Sequence, residues 1–346
     1  AAGAAVGQAE RELEVIAQVT PEQVGEIRAF LERCPIQVGL AATTQIFYIE
    51  VLAFGGDGAH SEGAISGFHT NVIRKRRNGQ LLLQREEAAE RERPCDEKSL
   101  LSIEGALEFA DTVELDDVRA LVQRQIDYNY AIAQEGLRGN YGANIGSVLL
   151  KHDGDDVKVR AKAYAAAGSD ARMNGCELPV VIVSGSGNQG ITSSVPVVVY
   201  AKELGVSEEK MLRAVVLSDL ITIHQKSGIG RLSAYCGAIS AGCGAGAGIA
   251  YLYGGGYEEI AHTVVNALAV VSGVVCDGAK ASCAAKIAAA VDAGILGYWM
   301  YREGTQFFGG DGIVSKGVEN TIRNVGRLAR EGMKETDKEI IKIMLE

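Results

Sequence analysis

The sequence is poor in proline and aromatic residues and has no excess of basic charge. Of its 346 residues, 5 are proline and 6% are aromatic, with one tryptophan. The net charge of −10 argues against a general nucleic-acid binder and against a protein that docks on anionic membranes. The 43 glycines show no collagen period, and an apolar share of 47% excludes a disordered chain.

Several motifs are also missing. The sequence has no signal-peptide pattern at its start, no C-x-x-C or H-E-x-x-H zinc motif and no Walker A loop. Its 7 cysteines are an odd number in a large chain, which argues against a disulfide scaffold. Residues 232–257 carry no charge but consist mostly of small residues, so we expect a buried helix there rather than a membrane span. These absences favour a cytoplasmic protein with reduced cysteines and no membrane contact.

The first part of the chain predicts a short helix followed by a small sheet. Thr20-Pro21-Glu22-Gln23 is typical of a helix start, with threonine as the cap and proline in the first turn. Residues 36–85 alternate and are rich in β-formers, beginning with a first strand at 36–40. Asn78-Gly79 indicates a tight hairpin within this region. The charged residues 85–98 predict a solvated connector.

The rest of the chain predicts helices built from small residues. The sequence contains 43 glycines and 46 alanines, and apolar residues recur at helical spacing almost throughout after residue 100, with one long helix expected at 231–253. We therefore predict an α+β protein. A small antiparallel β-sheet belongs to an N-terminal domain at 1–95, and a mostly α-helical, Gly/Ala-rich catalytic domain covers 96–346.

A polar, glycine-rich loop stands between an apolar run and a predicted helix. Its backbone N–H groups suit an anion at the helix N-terminus, and its serine, asparagine and glutamine side chains add neutral donors. A flexible turn is the alternative. The candidate carboxylate site consists of Ser184, Gly185, Ser186, Gly187, Asn188 and Gln189.

A second glycine-rich junction carries two cations, Lys226 and Arg231. Two cations around such a turn can hold a substrate carboxylate, or they can be exposed residues at an ordinary helix end. The sequence leaves both interpretations open. His224 lies two residues before Lys226 and is a candidate for the same site.

The cysteines repeat one spacing. Cys236 and Cys243 are seven residues apart, and Cys276 and Cys283 repeat this spacing 40 residues later. Seven residues climb about 10.5 Å along a helix, which is too far for both members of a pair to bind one metal ion. A shared metal centre would therefore take one cysteine from each segment, whereas small apolar core positions are the alternative. Cys276 also begins a polar break, residues 276–280, where a ligand would face a site.

Long motifs follow one another in a recognisable order. They are Ser169-Asp170-Ala171-Arg172-Met173, residues 184–190, Lys226-Ser227, Gly230-Arg231-Leu232-Ser233-Ala234, Cys236-Gly237, Cys276-Asp277-Gly278-Ala279-Lys280, Asp311-Gly312-Ile313-Val314 and residues 321–328. The sequence resembles the L-cysteine desulfidase family, which is related to the α-chain of iron–sulfur L-serine dehydratases. The resemblance covers most of the chain and is strongest over residues 155–346.

The resemblance implies a lyase that uses no pyridoxal phosphate (PLP) and holds a 4Fe-4S cluster with three cysteines. An open iron would act as a Lewis acid, L-cysteine would lose sulfide, and the resulting enamine would hydrolyse to pyruvate and ammonia. The candidate bases are Lys226, Lys280 and His224. The candidate substrate-binding groups are the loop residues 184–189 together with Arg231 and Asp277. The candidate cluster ligands are Cys236 and Cys276.

The resemblance also implies a third cluster cysteine in an N-terminal Cys-Thr-Glu-Pro segment, and this sequence has no such motif. We therefore expect that ligand in a segment preceding Ala1, and an unstable or absent cluster in the chain as given. Two other functions stay open: dehydration of L-serine, and a cluster-free amino-acid-binding or assembly protein on the same scaffold. The Gly/Ala-rich helix faces suit a homodimer.

Overall fold

The computed structural model describes residues 1–45, 47–67, 69–85, 100–230 and 232–346. A 3-10 helix spans Ala9–Glu14 and a π-helical turn spans Leu328–Gly332. The α-helices are α1 (Ala2–Val6), α2 (Pro21–Arg33), α3 (Ile103–Thr112), α4 (Leu115–Arg138), α5 (Ile145–Asp153), α6 (Val157–Met173), α7 (Gly187–Leu204), α8 (Glu208–Ile229), α9 (Gly237–Leu252), α10 (Tyr257–Val271), α11 (Cys283–Arg302), α12 (Val318–Arg327) and α13 (Lys334–Leu345).

Four strands form one antiparallel sheet in the order β1-β2-β3-β4. They are β1 (Tyr48–Phe54), β2 (His60–Ser66), β3 (Val72–Arg77) and β4 (Gln80–Gln84). Together with the many helices, this sheet confirms the predicted α+β class. The chain divides into two compact units, Ala1–Pro94 with Glu339–Glu346, and Cys95–Lys338.

The first unit contains the local signals that the sequence analysis identified. Thr20 Oγ1 accepts a hydrogen bond from Gln23 N at 3.4 Å and Gln23 Oε1 accepts one from Thr20 N at 3.0 Å, which is a complete capping box. Asn78 and Gly79 have φ angles of 49° and 79° and turn the chain from β3 into β4. The strand expected at 36–40 is wrong, because these residues have no ladder partner in the described sheet. Apart from Arg85, the predicted connector 85–98 lies outside the described residues.

Helix α9 is the centre of the second unit. It packs against α7, α8, α10 and α11. Of its 16 residues, 14 are buried, so the helix meets protein on every side. A helix surrounded in this way needs apolar residues all round, and the uncharged stretch at 232–257 supplies them. The helix starts at Gly237 rather than near 231, because the preceding residues pair with another segment.

Glycines let α9 and α11 approach backbone to backbone. A Cβ at Gly242 would lie 2.4 Å from the carbonyl oxygen of Ala290, and one at Gly246 would lie 2.5 Å from that of Gly294. In return, a Cβ at Gly294 would lie 2.2 Å from the carbonyl oxygen of Gly242. These distances are far below van der Waals contact, so this helix crossing tolerates no side chain. The Gly/Ala-rich faces that suggested a homodimer therefore pack within this chain.

Replacing Gly294 with alanine is expected to destabilise the second unit by about 3 kcal/mol, since the clash forces the two backbones apart. In a helix without such a contact, the same change stabilises by about 1 kcal/mol. Gly228→Ala in α8 is a matched control, because the nearest atom to its new Cβ is Gly326 Cα at 3.7 Å. Urea unfolding of both variants measures the difference. Equal stability of the two would contradict the close crossing.

One described helix, Cys283–Arg302, is long and apolar enough to cross a membrane by length and composition. In its most apolar window, 56% of the residues are buried within this protein. A core helix passes the same test, so the observation is weak evidence for a membrane span.

Candidate active site

Cys236 and Cys276 lie on two short segments that pair with each other. Tyr235 and Val275 form an antiparallel bridge. Cys276 N donates to the carbonyl oxygen of Ala234 at 2.6 Å, and Cys236 N donates to that of Val274 at 3.2 Å. The bridge brings two cysteines 40 residues apart in sequence side by side, just before α9 and just after α10.

The two thiols lie close enough to shift each other's pKa. A hydrogen bond from Cys236, opposed by burial, lowers the pKa of Cys276 to about 6. The same hydrogen bond, together with burial, raises the pKa of Cys236. The two cysteines therefore titrate as a coupled pair, with the Cys276 thiol the more acidic of the two. Both cysteines are free of disulfides.

Two lysines place positive charge beside this pair. Lys226, in the last turn of α8, is only 8% exposed, and its Nζ donates to the carbonyl oxygen of Gly230 at 2.7 Å. Burial lowers its pKa, while the charges of Cys276 and Cys236 oppose that shift. Lys286, in α11, donates to the carbonyl oxygen of Val275 at 2.7 Å, and its charge also acts on both thiols.

The carboxylate of Asp277 is bound by lysines. It forms ion pairs with both Lys280 and Lys286. Hydrogen bonds from these two lysines lower its pKa to about 2, so it is a fixed anion. Asp277 thus holds Lys286 toward the cysteine pair. Its predicted role as a substrate-binding group stays a prediction, as does the catalytic role of Lys280.

The loop at 184–189 is a tight turn that starts α7. Val183 and Ser186 exchange two backbone hydrogen bonds, at 3.2 and 3.1 Å, around Ser184 and Gly185. Both of these central residues are left-handed, with φ angles of 51° and 82°. Ser186 is the cap of α7, and its Oγ accepts from Gln189 N at 3.5 Å. The helix therefore begins inside the predicted loop, at Gly187.

Gln189 connects this loop to the cysteine segment. A Cβ at Gly237, the residue after Cys236, would lie 2.7 Å from Gln189 Nε2. The glutamine amide therefore packs onto the start of α9. Gln189 is 5% exposed, and its Oε1 is buried without a hydrogen-bond partner among the described residues.

A buried polar cluster holds α7 in place at Ser193, about one helical turn after Gln189. The carboxylate of Asp219 in α8 accepts hydrogen bonds from Ser193 Oγ at 2.7 Å and from Gln125 Nε2 at 3.0 Å. Burial raises the pKa of Asp219 to about 6, and these two hydrogen bonds limit the rise. The cluster joins α4, α7 and α8, so it positions the first turn of α7.

Arg172 lies against the start of α7, although the sequence analysis did not select it from the motif Ser169-Asp170-Ala171-Arg172-Met173. Its Nη1 donates to Asn188 Oδ1 at 3.3 Å, and a Cβ at Gly187 would lie 2.4 Å from its Nε. Burial lowers its pKa, while the charge of Cys283 opposes the shift. The sequence analysis did not select Lys286 either. A single cation inside the alanine-rich run of α11 could have indicated it.

His224 faces a different partner. Its Nε2 lies 2.7 Å from Glu319 Oε2 in α12, and the other carboxylate oxygen accepts from Ile103 N at 2.8 Å. Burial raises the pKa of Glu319, but the hydrogen bonds from His224 and Ile103 bring it below its usual value. Within the described residues, His224 thus bonds to Glu319 of α12, and no hydrogen bond or ion pair joins it to the cysteine pair. Arg231 lies outside the described residues.

Comparison with known proteins identifies the family. The family model of the serine dehydratase alpha chain matches residues 10–342. The chain belongs to the serine dehydratase alpha-chain family. This family consists of lyase-type enzymes that generally depend on iron–sulfur clusters.

Several known proteins match nearly the whole of this chain. A UPF0597 protein of Desulfitobacterium hafniense is 58% identical, covering 100% of this chain and 80% of the relative. A UPF0597 protein of Lachnoclostridium phytofermentans is 51% identical, covering 98% of this chain and 81% of the relative. A third, from Treponema denticola, is 42% identical with coverage of 98% and 80%.

The described residues fit part of the ligand set of an iron–sulfur cluster. Cys236 and Cys276 would offer two adjacent sulfur ligands, the type that such clusters use, and Lys286 would supply positive charge beside an anionic cluster. No group of three metal-binding side chains occurs within the described ranges. A third ligand would therefore have to come from outside these ranges.

Proposed function

We propose that this chain is an iron–sulfur-dependent lyase that cleaves L-cysteine. The Cα–H and Cβ–S bonds break, sulfide leaves, and the aminoacrylate that forms tautomerises and reacts with water. The products are pyruvate, ammonia and sulfide, and the overall reaction consumes one water. The proposed enzyme uses no PLP.

The observation that carries this proposal is the contact between Cys236 and Cys276 beside two lysines. Two cysteines held side by side near cations are what an iron–sulfur cluster needs from its protein. Cysteines that only fill the core would need neither each other nor nearby cations. A 4Fe-4S cluster, when bound, supplies an iron with an open position that withdraws electron density from the leaving group.

Lys226 is the best-supported base among the three candidates. Its amine is buried, lies close enough to both thiols for their charges to affect its pKa, and has no carboxylate within ion-pair distance among the described residues. Burial lowers its pKa and so favours the neutral amine that can take the α-proton. Lys280 is paired with Asp277 and His224 with Glu319, so both are held away from that role.

The leaving group decides between the two enzyme candidates. The family name favours L-serine, whose hydroxyl would leave as water. We favour L-cysteine because a soft sulfur ligand binds iron well and a thiolate is a far better leaving group than hydroxide.

The test is turnover of both amino acids by anaerobically reconstituted protein. We expect sulfide and pyruvate in equal amounts from L-cysteine, with kcat/KM at least about tenfold above that for L-serine, a modest but measurable difference in transition-state free energy. Preference for L-serine would replace the proposal with the dehydratase candidate. Calorimetric binding of L-cysteine without turnover of either amino acid would favour the cluster-free binding protein.

The proposal includes a cytoplasmic location. The described cysteines are all free, as expected in a reducing compartment. It includes no nucleic-acid partner. A homo-oligomer stays a prediction without structural support, since the Gly/Ala-rich faces pack within the chain.

A further inference from the structure

Arg172 is a half-buried cation without an acidic partner among the described residues. Its guanidinium lies against the first turn of α7, and its one recorded hydrogen bond is donated to the neutral Oδ1 of Asn188 at 3.3 Å. A guanidinium has five N–H donors, and burying its charge without an anion is costly. Apart from the nearby thiol of Cys283, no acidic group pairs with Arg172 among the described residues, so its guanidinium has donors left for an anion.

The same turn of α7 offers a second unsatisfied group. Gln189 is more than nine-tenths buried, and its Oε1 has no hydrogen-bond partner among the described residues. It is the residue after Asn188, which Arg172 contacts, and its amide packs on Gly237 beside Cys236. Free donors on Arg172 and an unpaired acceptor on Gln189 thus lie at the start of α7, and Gln189 also packs against the residue that follows Cys236.

Gly187 makes this arrangement sterically feasible. A Cβ there would lie 2.4 Å from Arg172 Nε and 2.6 Å from a methyl carbon of Val180. Any larger residue would push the guanidinium off the helix N-terminus. A helix N-terminus also favours a negative charge, because the N–H groups of its first turn have no partners within the helix.

We propose that Arg172 binds the α-carboxylate of the substrate and that Gln189 Oε1 accepts a hydrogen bond from its α-ammonium group. The two groups would select small α-amino acids, with both charges on one carbon and the β-substituent directed toward Cys236 and Cys276. This inference rests on the proposed function, because it names the groups that hold the substrate of that same site.

The experiment measures binding of L-alanine, which has both charged groups but nothing to eliminate. By calorimetry, Arg172→Gln should weaken L-alanine binding by about 100-fold, the cost of a charge-assisted, two-point contact. Arg172→Lys should recover part of the loss, since it keeps the charge without the fork. Arg160→Gln is the matched control: Arg160 lies on the same helix, is paired with Glu203 and Asp155, and should leave binding unchanged.

Gln189→Leu tests the second contact. It should weaken L-alanine binding about tenfold while thermal stability stays equal or rises, because leucine removes a buried oxygen without a partner. A purely structural role predicts the opposite, namely lower stability with unchanged binding. This variant also keeps the inference testable if Arg172→Gln fails to fold.

Ethylamine and propionate separate the two charges. Propionate should bind wild type and lose affinity in Arg172→Gln but not in Gln189→Leu, whereas ethylamine should lose affinity in Gln189→Leu but not in Arg172→Gln. Unchanged L-alanine binding in Arg172→Gln, with L-cysteine still cleaved by wild type, would overturn this inference and leave the proposed function standing. Wild type that neither binds L-alanine nor turns over L-cysteine would overturn both.

Discussion

Replacing Cys236 or Cys276 with serine is expected to remove bound iron and L-cysteine turnover together. In the proposed site, each cysteine would be one of two adjacent sulfur ligands, so removing either would break the pair. Serine keeps the size and one hydrogen bond, so the fold should survive while a thiolate ligand is lost. We expect activity to fall by at least about 10³-fold, which corresponds to roughly 4 kcal/mol of transition-state stabilisation.

Iron content and the visible absorption of anaerobically reconstituted protein measure the first effect, and sulfide release measures the second. Cys243→Ala is the matched control. Cys243 lies seven residues after Cys236, is fully buried in α9 and is a core residue rather than a ligand. It should keep its iron and activity and lose at most about 1 kcal/mol of stability. Wild-type iron content in both serine variants would contradict cluster ligation by this pair.

The meeting of these two cysteines was partly predictable. The spacing of seven residues excluded two ligands from one helix, and the structure does bring one cysteine from each segment together. The reason could not be predicted, because a single bridge between Tyr235 and Val275 has no periodic pattern in the sequence. The same bridge is why the helix expected from 231 begins only at Gly237.

Features that depend on neighbouring residues could be predicted from the sequence, whereas contacts between distant residues could not. The capping box at Thr20 and the hairpin at Asn78-Gly79 depend on neighbours within four residues, and both are confirmed. The placement of Arg172 depends on its contact with Asn188, and that of Lys286 on its ion pair with Asp277. Both contacts form only when the chain folds. The glycine-rich run in α9 hinted at close packing, but its partner, α11, was visible only in the structure.

Replacing Lys226 with glutamine or arginine is expected to lower kcat by about 10³-fold, within the range for loss of a general base. Arginine keeps a positive charge beside the cysteines but cannot deprotonate near neutral pH. Equal losses in both variants would therefore assign the role to proton removal rather than to charge. KM and iron content should change little, because the amine hydrogen bonds only to Gly230 among the described residues.

The pH profile gives a second readout. Burial lowers the pKa of Lys226, and the amine acts as a base only after losing its proton. Wild-type kcat/KM should therefore rise with pH through the pKa of Lys226, and this acid limb should vanish in Lys226→Arg. The same shift means that the unfolded chain binds the proton more tightly, so the charged lysine destabilises the fold at neutral and acidic pH. Lys226→Gln should thus lose activity without losing stability at pH 7.

Variants of the other two candidate bases complete the test. Lys280→Gln should have little effect on kcat, because Lys286 still holds Asp277. His224→Gln should lower stability, since His224 is bound to Glu319, but should keep the acid limb of the pH profile. If Lys226→Arg retains that limb and either of these variants loses it, the base is the residue so changed, and the burial of Lys226 serves the fold instead.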